Sequence, residues 1–278
     1  MKILTIDYND YNFSRNFVKS LHDSGFAIIK NHSVSQTLIK QCYDDWEFFF
    51  KSEKKNDYLF DYEKQDGYFP FKSENAKDYR AKDLKEFYHI YPNWGRYPDF
   101  INDNALILFN TLINLGKNLL EHIHNYSPPE IVGNFSIPLY EMIDNSNQNL
   151  LRIIHYPPIN EEDRENALRA APHADINLIT LLLAGSSRGL QVKTKDGNWL
   201  DVDFKENELV VNIGDMLQLC SNNYYPSTLH RVINPIESKN IPRYSMPFFI
   251  HPRKDIQLSK ELTANQYLNQ RLRDLGLK

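Results

Sequence analysis

Leu190-Gln191-Val192-Lys193-Thr194-Lys195-Asp196-Gly197-Asn198-Trp199-Leu200-Asp201-Val202 sets two short runs on either side of an Asp-Gly pair. Asp-Gly between two such runs is a hairpin signal, so the stretch reads as a β-hairpin of Leu190 to Thr194 with Trp199 to Val202. Outward from this hairpin the same grammar continues. Leu151 to Tyr156, Ile176 to Leu183, Leu209 to Ile213, Leu217 to Ser221, Thr228 to Ile233 and Tyr244 to His251 all read as short strands between turns. Eight such strands with no intervening helix indicate a sandwich, jelly roll or barrel.

The half before Leu150 has a different rhythm. Ile3 to Ile6 reads as a strand, and from Ser14 the residues Phe17, Val18 and Leu21 recur at helical spacing until Gly25 stops the pattern. Phe26 to Ile29 resembles a second strand. Ser35 to Lys51 is an amphipathic helix with Ser35 as its N-cap and Ile39, Cys42, Trp46 and Phe49 on one face. Between Asn56 and Pro98 periodicity is lost, and this aromatic-rich stretch, with Tyr68 and Tyr91 in it, is expected to be a substrate-facing loop. Helical spacing returns at Leu108, Leu112, Leu115, Leu119 and Ile123 and ends before Pro128-Pro129; a last helix is expected over Thr263 to Leu275, with Gly276 behind it.

A chain of 278 residues buries roughly 75% of the surface its unfolded form exposes, enough for a sizeable core. Its net charge of −4, from 32 basic and 36 acidic side chains, gives no electrostatic case for a nucleic-acid partner. Cys42 and Cys220 lack metal-type spacing and cannot build a disulfide framework, which suits a reducing compartment. Met1 to Asn12 lacks the features of a signal peptide, and runs such as Leu178 to Gly185 are too short to span a bilayer. A cytoplasmic protein with no membrane association is expected.

Chemistry concentrates in the β region. Ala171-Pro172-His173-Ala174-Asp175 puts an imidazole and a carboxylate two residues apart, and in an extended strand such residues share a face. His230 follows in Ser227-Thr228-Leu229-His230-Arg231-Val232. Two histidines and one carboxylate on one side of a metal leave the opposite positions open, the arrangement non-haem iron(II) oxygenases use. Arg243-Tyr244-Ser245 then places a guanidinium and a hydroxyl on one face of the next strand. An Arg directed into an apolar barrel is costly unless an anion meets it, and a ligand carboxylate removes that cost.

These segments resemble the isopenicillin N synthase-like branch of the iron(II)/2-oxoglutarate-dependent dioxygenases, along nearly the whole chain. The likeness is carried by Gly189-Leu190-Gln191-Val192 with Asp196-Gly197-Asn198-Trp199, by Val211-Asn212-Ile213-Gly214-Asp215-Met216, by the stretch around His230, and by Arg243-Tyr244-Ser245-Met246-Pro247-Phe248-Phe249. Ser24-Gly25-Phe26 and Asn31-His32 match N-terminal patterns of the family. The resemblance implies a mixed α and β fold, a double-stranded β-helix (jelly roll) core with flanking helices. The expected division is a helical N-terminal region over 1–148, the oxygenase jelly roll over 149–256 and a C-terminal helix over 257–278. It further implies His173, Asp175 and His230 as Fe(2+) ligands, and Arg243 and Ser245, helped by Tyr156, as holders of the distal carboxylate of 2-oxoglutarate. O2 is the second cosubstrate, and the chemistry admits ascorbate. Ser33 stands where the family usually has Gly, and Ile154 where many members have an Asn that contacts the cosubstrate.

The activity so implied is oxidation of a small molecule by hydroxylation, desaturation or cyclisation. Two other readings stand beside it: an oxidase of the same fold that does not consume 2-oxoglutarate, and a non-catalytic jelly roll that binds a metal or a ligand. His155 is expected to be a packed or hydrogen-bonded histidine. Because histidines must be neutral to bind iron, affinity is expected to fall as pH drops through about 6.5.

Overall fold

Gly25 sets the entry of the chain into its main sheet. It ends helix α1 (Phe13–Ser24) with φ of 74° and donates its backbone N–H to Leu21 O at 2.7 Å, a left-handed cap that suits a residue without Cβ. Strand β1 (Thr5–Asp7) precedes the helix and pairs in parallel with β2 (Phe26–Lys30), which follows Gly25. Helix α2 (Gln36–Lys51) starts where the sequence predicts, with Ser35 Oγ accepting from Leu38 N–H at 3.3 Å, and it buries Ile39, Cys42, Trp46 and Phe49. The computed structural model describes residues 1–74, 81–185, 188–236 and 240–274.

The stretch from Asn56 to Pro98 departs from the expected loop. It contains β3 (Gly67–Phe69) and β4 (Glu86–Ile90), paired with each other, and β4 lies along β5 (Leu150–Tyr156). All five residues of β4 are buried, including Glu86 and His89. A strand covered on both faces loses the polar–apolar alternation by which strands are recognised. Its charges are satisfied at long range: Glu86 accepts from Tyr68 and bonds His155 Nδ1 at 2.7 Å and Lys55 Nζ at 3.0 Å. His155 is thus a hydrogen-bonded histidine, and it stacks on Tyr244 at 4.7 Å.

Helix α3 (Asn104–Tyr126) runs to Ser127 and is followed by the short α4 (Pro129–Val132). The later chain adds α5 (Glu161–Asn166), β6 (Ala170–His173), β7 (Ile179–Leu183), β8 (Leu190–Lys193), β9 (Trp199–Asp201), β10 (Glu208–Ile213), α6 (Asp215–Cys220), β11 (His230–Val232), β12 (Arg243–Ser245), β13 (Pro247–Ile250) and α7 (Ala264–Asp274). The predicted strand Leu217 to Ser221 is instead the helix α6, so that α5 and α6 interrupt the strands. Short apolar runs do not distinguish the two states by pattern, and here Met216, Leu217 and Cys220 share a buried helical face. Tyr244 to His251 is split between β12 and β13. The expected end of α7, Leu275 with Gly276, lies outside the described residues. Cys42 and Cys220 are free and buried.

The strands form two sheets. The larger has the order β1-β2-β10-β7-β13-β5-β4-β3, with β12 also on β5; the smaller has the order β6-β11-β8-β9. Gly197, at φ 85°, turns the β8–β9 hairpin as predicted. Alternation along the larger sheet divides its side chains. Leu209, Val211, Ile213, Leu151, Ile153, Leu181 and Phe248 join the core beneath α1, α2 and α3, whereas Val210, Ile154 and Tyr156 belong to smaller clusters on the opposite face. That opposite face, closed by the smaller sheet, is the jelly-roll interior. Among the described residues no helix is long and apolar enough to cross a membrane.

Candidate metal and cosubstrate site

His173 is the last residue of β6, and His230, the first of β11, is its register partner across the smaller sheet. Asp175 lies two residues past the end of β6, in a turn held by Asp215 N–H to Asp175 O at 2.7 Å. One ligand atom from each of the three side chains falls within 4.8 Å of the others, the only such group of three among the described residues. Sequence spacing alone treats Asp175 as part of the strand; the structure places it beyond, where α6 fixes it.

Hydrogen bonds aim each donor atom. Nδ1 of His173 donates to Ala171 O at 2.8 Å, and Nδ1 of His230 to Thr228 O at 3.2 Å. A carbonyl can only accept, so each neutral ring carries its proton on Nδ1 and leaves the Nε2 lone pair for a cation. Asp175 Oδ2 accepts from Thr180 Oγ1 and from Asn212 Nδ2, the latter at 2.8 Å, while Oδ1 lies 3.7 Å from His230 Nε2. Burial works against the Asp175 charge, but His230, His173 and the two hydrogen bonds outweigh it and hold the carboxyl below its ordinary range. Burial, with His230 beside it, pushes His173 down to about 4. Two imidazoles with Nδ1 engaged by backbone carbonyls, together with a carboxylate, form a donor set that fits iron(II).

Further along the interior, β12 pairs with β5 so that Arg243 faces Tyr156 and Ser245 faces Ile154. Arg243, Ser245 and Tyr156 are all buried, and the Arg243 guanidinium lies 5.1 Å from the Tyr156 ring centre. The six residues singled out in the sequence thus fall into two groups, His173, Asp175 and His230 in one and Arg243, Ser245 and Tyr156 in the other. Ile154 presents an apolar face where an amide was the familiar occupant.

Several neighbours were not singled out by sequence. Asn212 sits in the quoted Val211 to Met216 segment, and its position on the interior face of β10 could have marked it; Thr180 gave no such signal. Phe60, Phe69 and Phe87 stack with centroids 4.3 and 4.5 Å apart, and with Ile154, Tyr156, Ala170 and Val232 they form an apolar wall. Next to it Lys85 bridges Glu74 at 2.9 Å and Asp83 at 2.8 Å, and Asp83 accepts from Ala171 N–H at 3.0 Å, two residues before His173. Arg169, just ahead of β6, also reaches the Tyr156 ring, at 5.9 Å.

A jelly roll carrying two histidines on paired strands, with an aspartate beside them, has the architecture of the non-haem metal oxygenases. A model of the 2OG-Fe(II) oxygenase superfamily matches residues 147–252, and one described as non-haem dioxygenase in morphine synthesis N-terminal matches residues 5–105. A solved protein from Shewanella oneidensis, described as an oxygenase, is 47% identical, with both chains covered in full and a TM-score of 0.90. A solved Caulobacter crescentus protein assigned to the 2OG-Fe(II) oxygenase family is 32% identical over 98% of both chains, with a TM-score of 0.80. A full-length Neurospora crassa protein, solved in complex with alpha-KG and thymine, is 26% identical over 98% of this chain and 96% of its own, also at 0.80. The chain spans about a third of the length of the curated relatives it matches; gibberellin 3-beta-dioxygenase 2 of Arabidopsis thaliana, for example, is 37% identical over 113 residues, 40% of this chain and 31% of its own. The chain belongs to the 2OG-Fe(II) oxygenase superfamily, a family of oxidoreductases that use iron(II), 2-oxoglutarate and O2.

Proposed function

We propose that this chain oxidises a small molecule with iron(II), 2-oxoglutarate and O2, the metal being held by His173 Nε2, His230 Nε2 and the Asp175 carboxylate. The observation that carries the reading is the aim of the two imidazoles: both Nδ1 atoms are committed to backbone carbonyls, and one ligand atom each from His173, Asp175 and His230 lies within 4.8 Å of the others. Bound iron(II) would supply activation of O2, coupled to decarboxylation of the 2-oxo acid.

The protein's own residues bind, orient and exclude water. Arg243 and Ser245 would take the distal carboxylate of 2-oxoglutarate, with the Tyr156 phenol beside them. A charge-assisted bond from a buried guanidinium contributes about 1.5–3 kcal/mol net. Asn212 and Thr180 hold Asp175 in one rotamer, so the metal meets a preorganised carboxylate. The apolar wall of Phe69, Phe87 and Ile154 would keep water from the reacting atoms and seat the apolar part of a substrate. The Neurospora crassa relative, whose solved complex contains alpha-KG and thymine, supports a substrate of small-molecule size.

The test is release of labelled CO2 from 1-14C-2-oxoglutarate in the presence of iron(II), O2 and a panel of small molecules, with succinate counted in parallel. Stoichiometric CO2 and succinate that disappear in Asp175→Ala support the reading. Oxidised product formed without either would favour the oxidase that does not consume 2-oxoglutarate.

A further inference from the structure

Arg169 is among the most deeply buried side chains, 1% exposed, yet no carboxylate among the described residues pairs with it. Its Nη2 donates to Ile241 O at 2.7 Å, and its buried Nε has no hydrogen-bond partner. Its guanidinium shares the Tyr156 ring with that of Arg243, at 5.9 and 5.1 Å from the ring centre. Burial first, and Arg243 next, push the Arg169 guanidinium down to about 10. A guanidinium withdrawn from water beside a second cation, with its Nε unpartnered, is a costly arrangement unless an anion completes it.

The surroundings specify that anion. Tyr156 and Ser245, both buried, carry their hydroxyls in the same region, on the paired strands β5 and β12. A carboxylate has two oxygens with about four lone-pair sites, enough to serve two guanidiniums and the hydroxyls together. We propose that Arg169 is a second guanidinium for the distal carboxylate of 2-oxoglutarate, binding it together with Arg243 and Ser245. This rests on the proposed use of 2-oxoglutarate. It gives the cosubstrate pocket a two-arginine end that makes up for Ile154, which offers no hydrogen bond.

The experiment compares two 2-oxo acids with the same chelating end. Affinities of 2-oxoglutarate and of 2-oxopentanoate, which lacks the distal carboxylate, are measured by anaerobic calorimetry on the iron(II)-loaded wild type, Arg169→Met and Arg169→Lys. The expected result is a loss of tenfold or more in 2-oxoglutarate affinity for Arg169→Met, an intermediate loss for Arg169→Lys, and 2-oxopentanoate affinities within twofold of the wild type. If Arg169→Met does not fold, Arg169→Lys carries the same comparison. Equal weakening of both acids would show a structural arginine and overturn the proposal, as would unchanged 2-oxoglutarate affinity. A wild type that binds neither acid would instead overturn the reading of the site itself.

Discussion

Asn212 donates its side-chain amide to Asp175 Oδ2 at 2.8 Å, from a position on β10 whose register partner on β7, Thr180, donates to the same oxygen. The interior faces of two neighbouring strands thus fix a carboxylate that itself lies on neither. Asn212→Leu should lower iron(II) affinity about 10–100-fold, the usual cost of removing an orienting partner, while the fold survives. Titration with iron(II), or with cobalt(II) as a spectroscopic probe, checks this; unchanged affinity would mean that Thr180 alone orients Asp175.

Gly25 connects the N-terminal helices to the metal site. A Cβ there would stand 2.4 Å from Pro226 O and 2.5 Å from Thr228 Oγ1, at a φ of 74°. Thr228 also supplies the carbonyl that holds His230 Nδ1. Gly25→Ala should therefore destabilise the protein by at least the roughly 1–2 kcal/mol of a left-handed non-glycine residue, and should weaken metal binding as well. Urea denaturation and metal titration report the two effects separately; a loss of stability with no change in metal affinity would uncouple Gly25 from His230.

The metal-free protein should lose stability on mild acidification. Burial holds His251 and His173 down to about 4, and also lowers His32, His89, His122 and His124. For a depressed histidine the unfolded chain takes up its proton first, near pH 6.5, while the folded chain stays neutral; stability is full above that pH and drains away as pH falls towards 4. Each tenfold difference in proton affinity is worth about 1.4 kcal/mol, so a loss on the order of a few kcal/mol is expected between pH 7.5 and 5. Glu74 adds to this only at lower pH: burial opposes its charge, but Arg152 and Lys85 hold its carboxyl well below the ordinary range. Denaturation midpoints at the two pH values decide the matter, and equal midpoints would contradict it.

Arg243→Ala should weaken 2-oxoglutarate far more than iron(II), because its guanidinium lies beside the Tyr156 ring and is not one of the three metal-donor groups. Separate equilibrium titrations of metal and cosubstrate test this. Equal loss of both would make Arg243 a structural residue.

Much of this architecture was legible because it repeats local rules. Gly25, Ser35 and Asp196-Gly197 are punctuation with a fixed conformational meaning, and each does in the structure what its chemistry requires. His173, Asp175, His230, Arg243 and Ser245 were legible because donors in close sequence pairs leave a trace. What escaped was decided by tertiary context. Strand β4 is buried on both faces and hides Glu86 and His89 behind long-range partners, so no period survives. Met216 to Cys220 is too short for its apolar run to declare helix or strand. Arg169 and Thr180 acquire their meaning only from Tyr156 and Asp175, residues that the fold brings to them.

The central claim is that His173, Asp175 and His230 hold iron(II) in a form that accepts a chelating 2-oxo acid. Anaerobic titration of the metal-free protein with iron(II) and then 2-oxoglutarate, following the visible metal-to-ligand charge-transfer absorption, tests it without knowledge of the substrate. The account predicts that the band develops in the wild type and is absent in His230→Ala. Iron binding without the band would contradict the cosubstrate role, and failure to bind iron at all would contradict the metal centre.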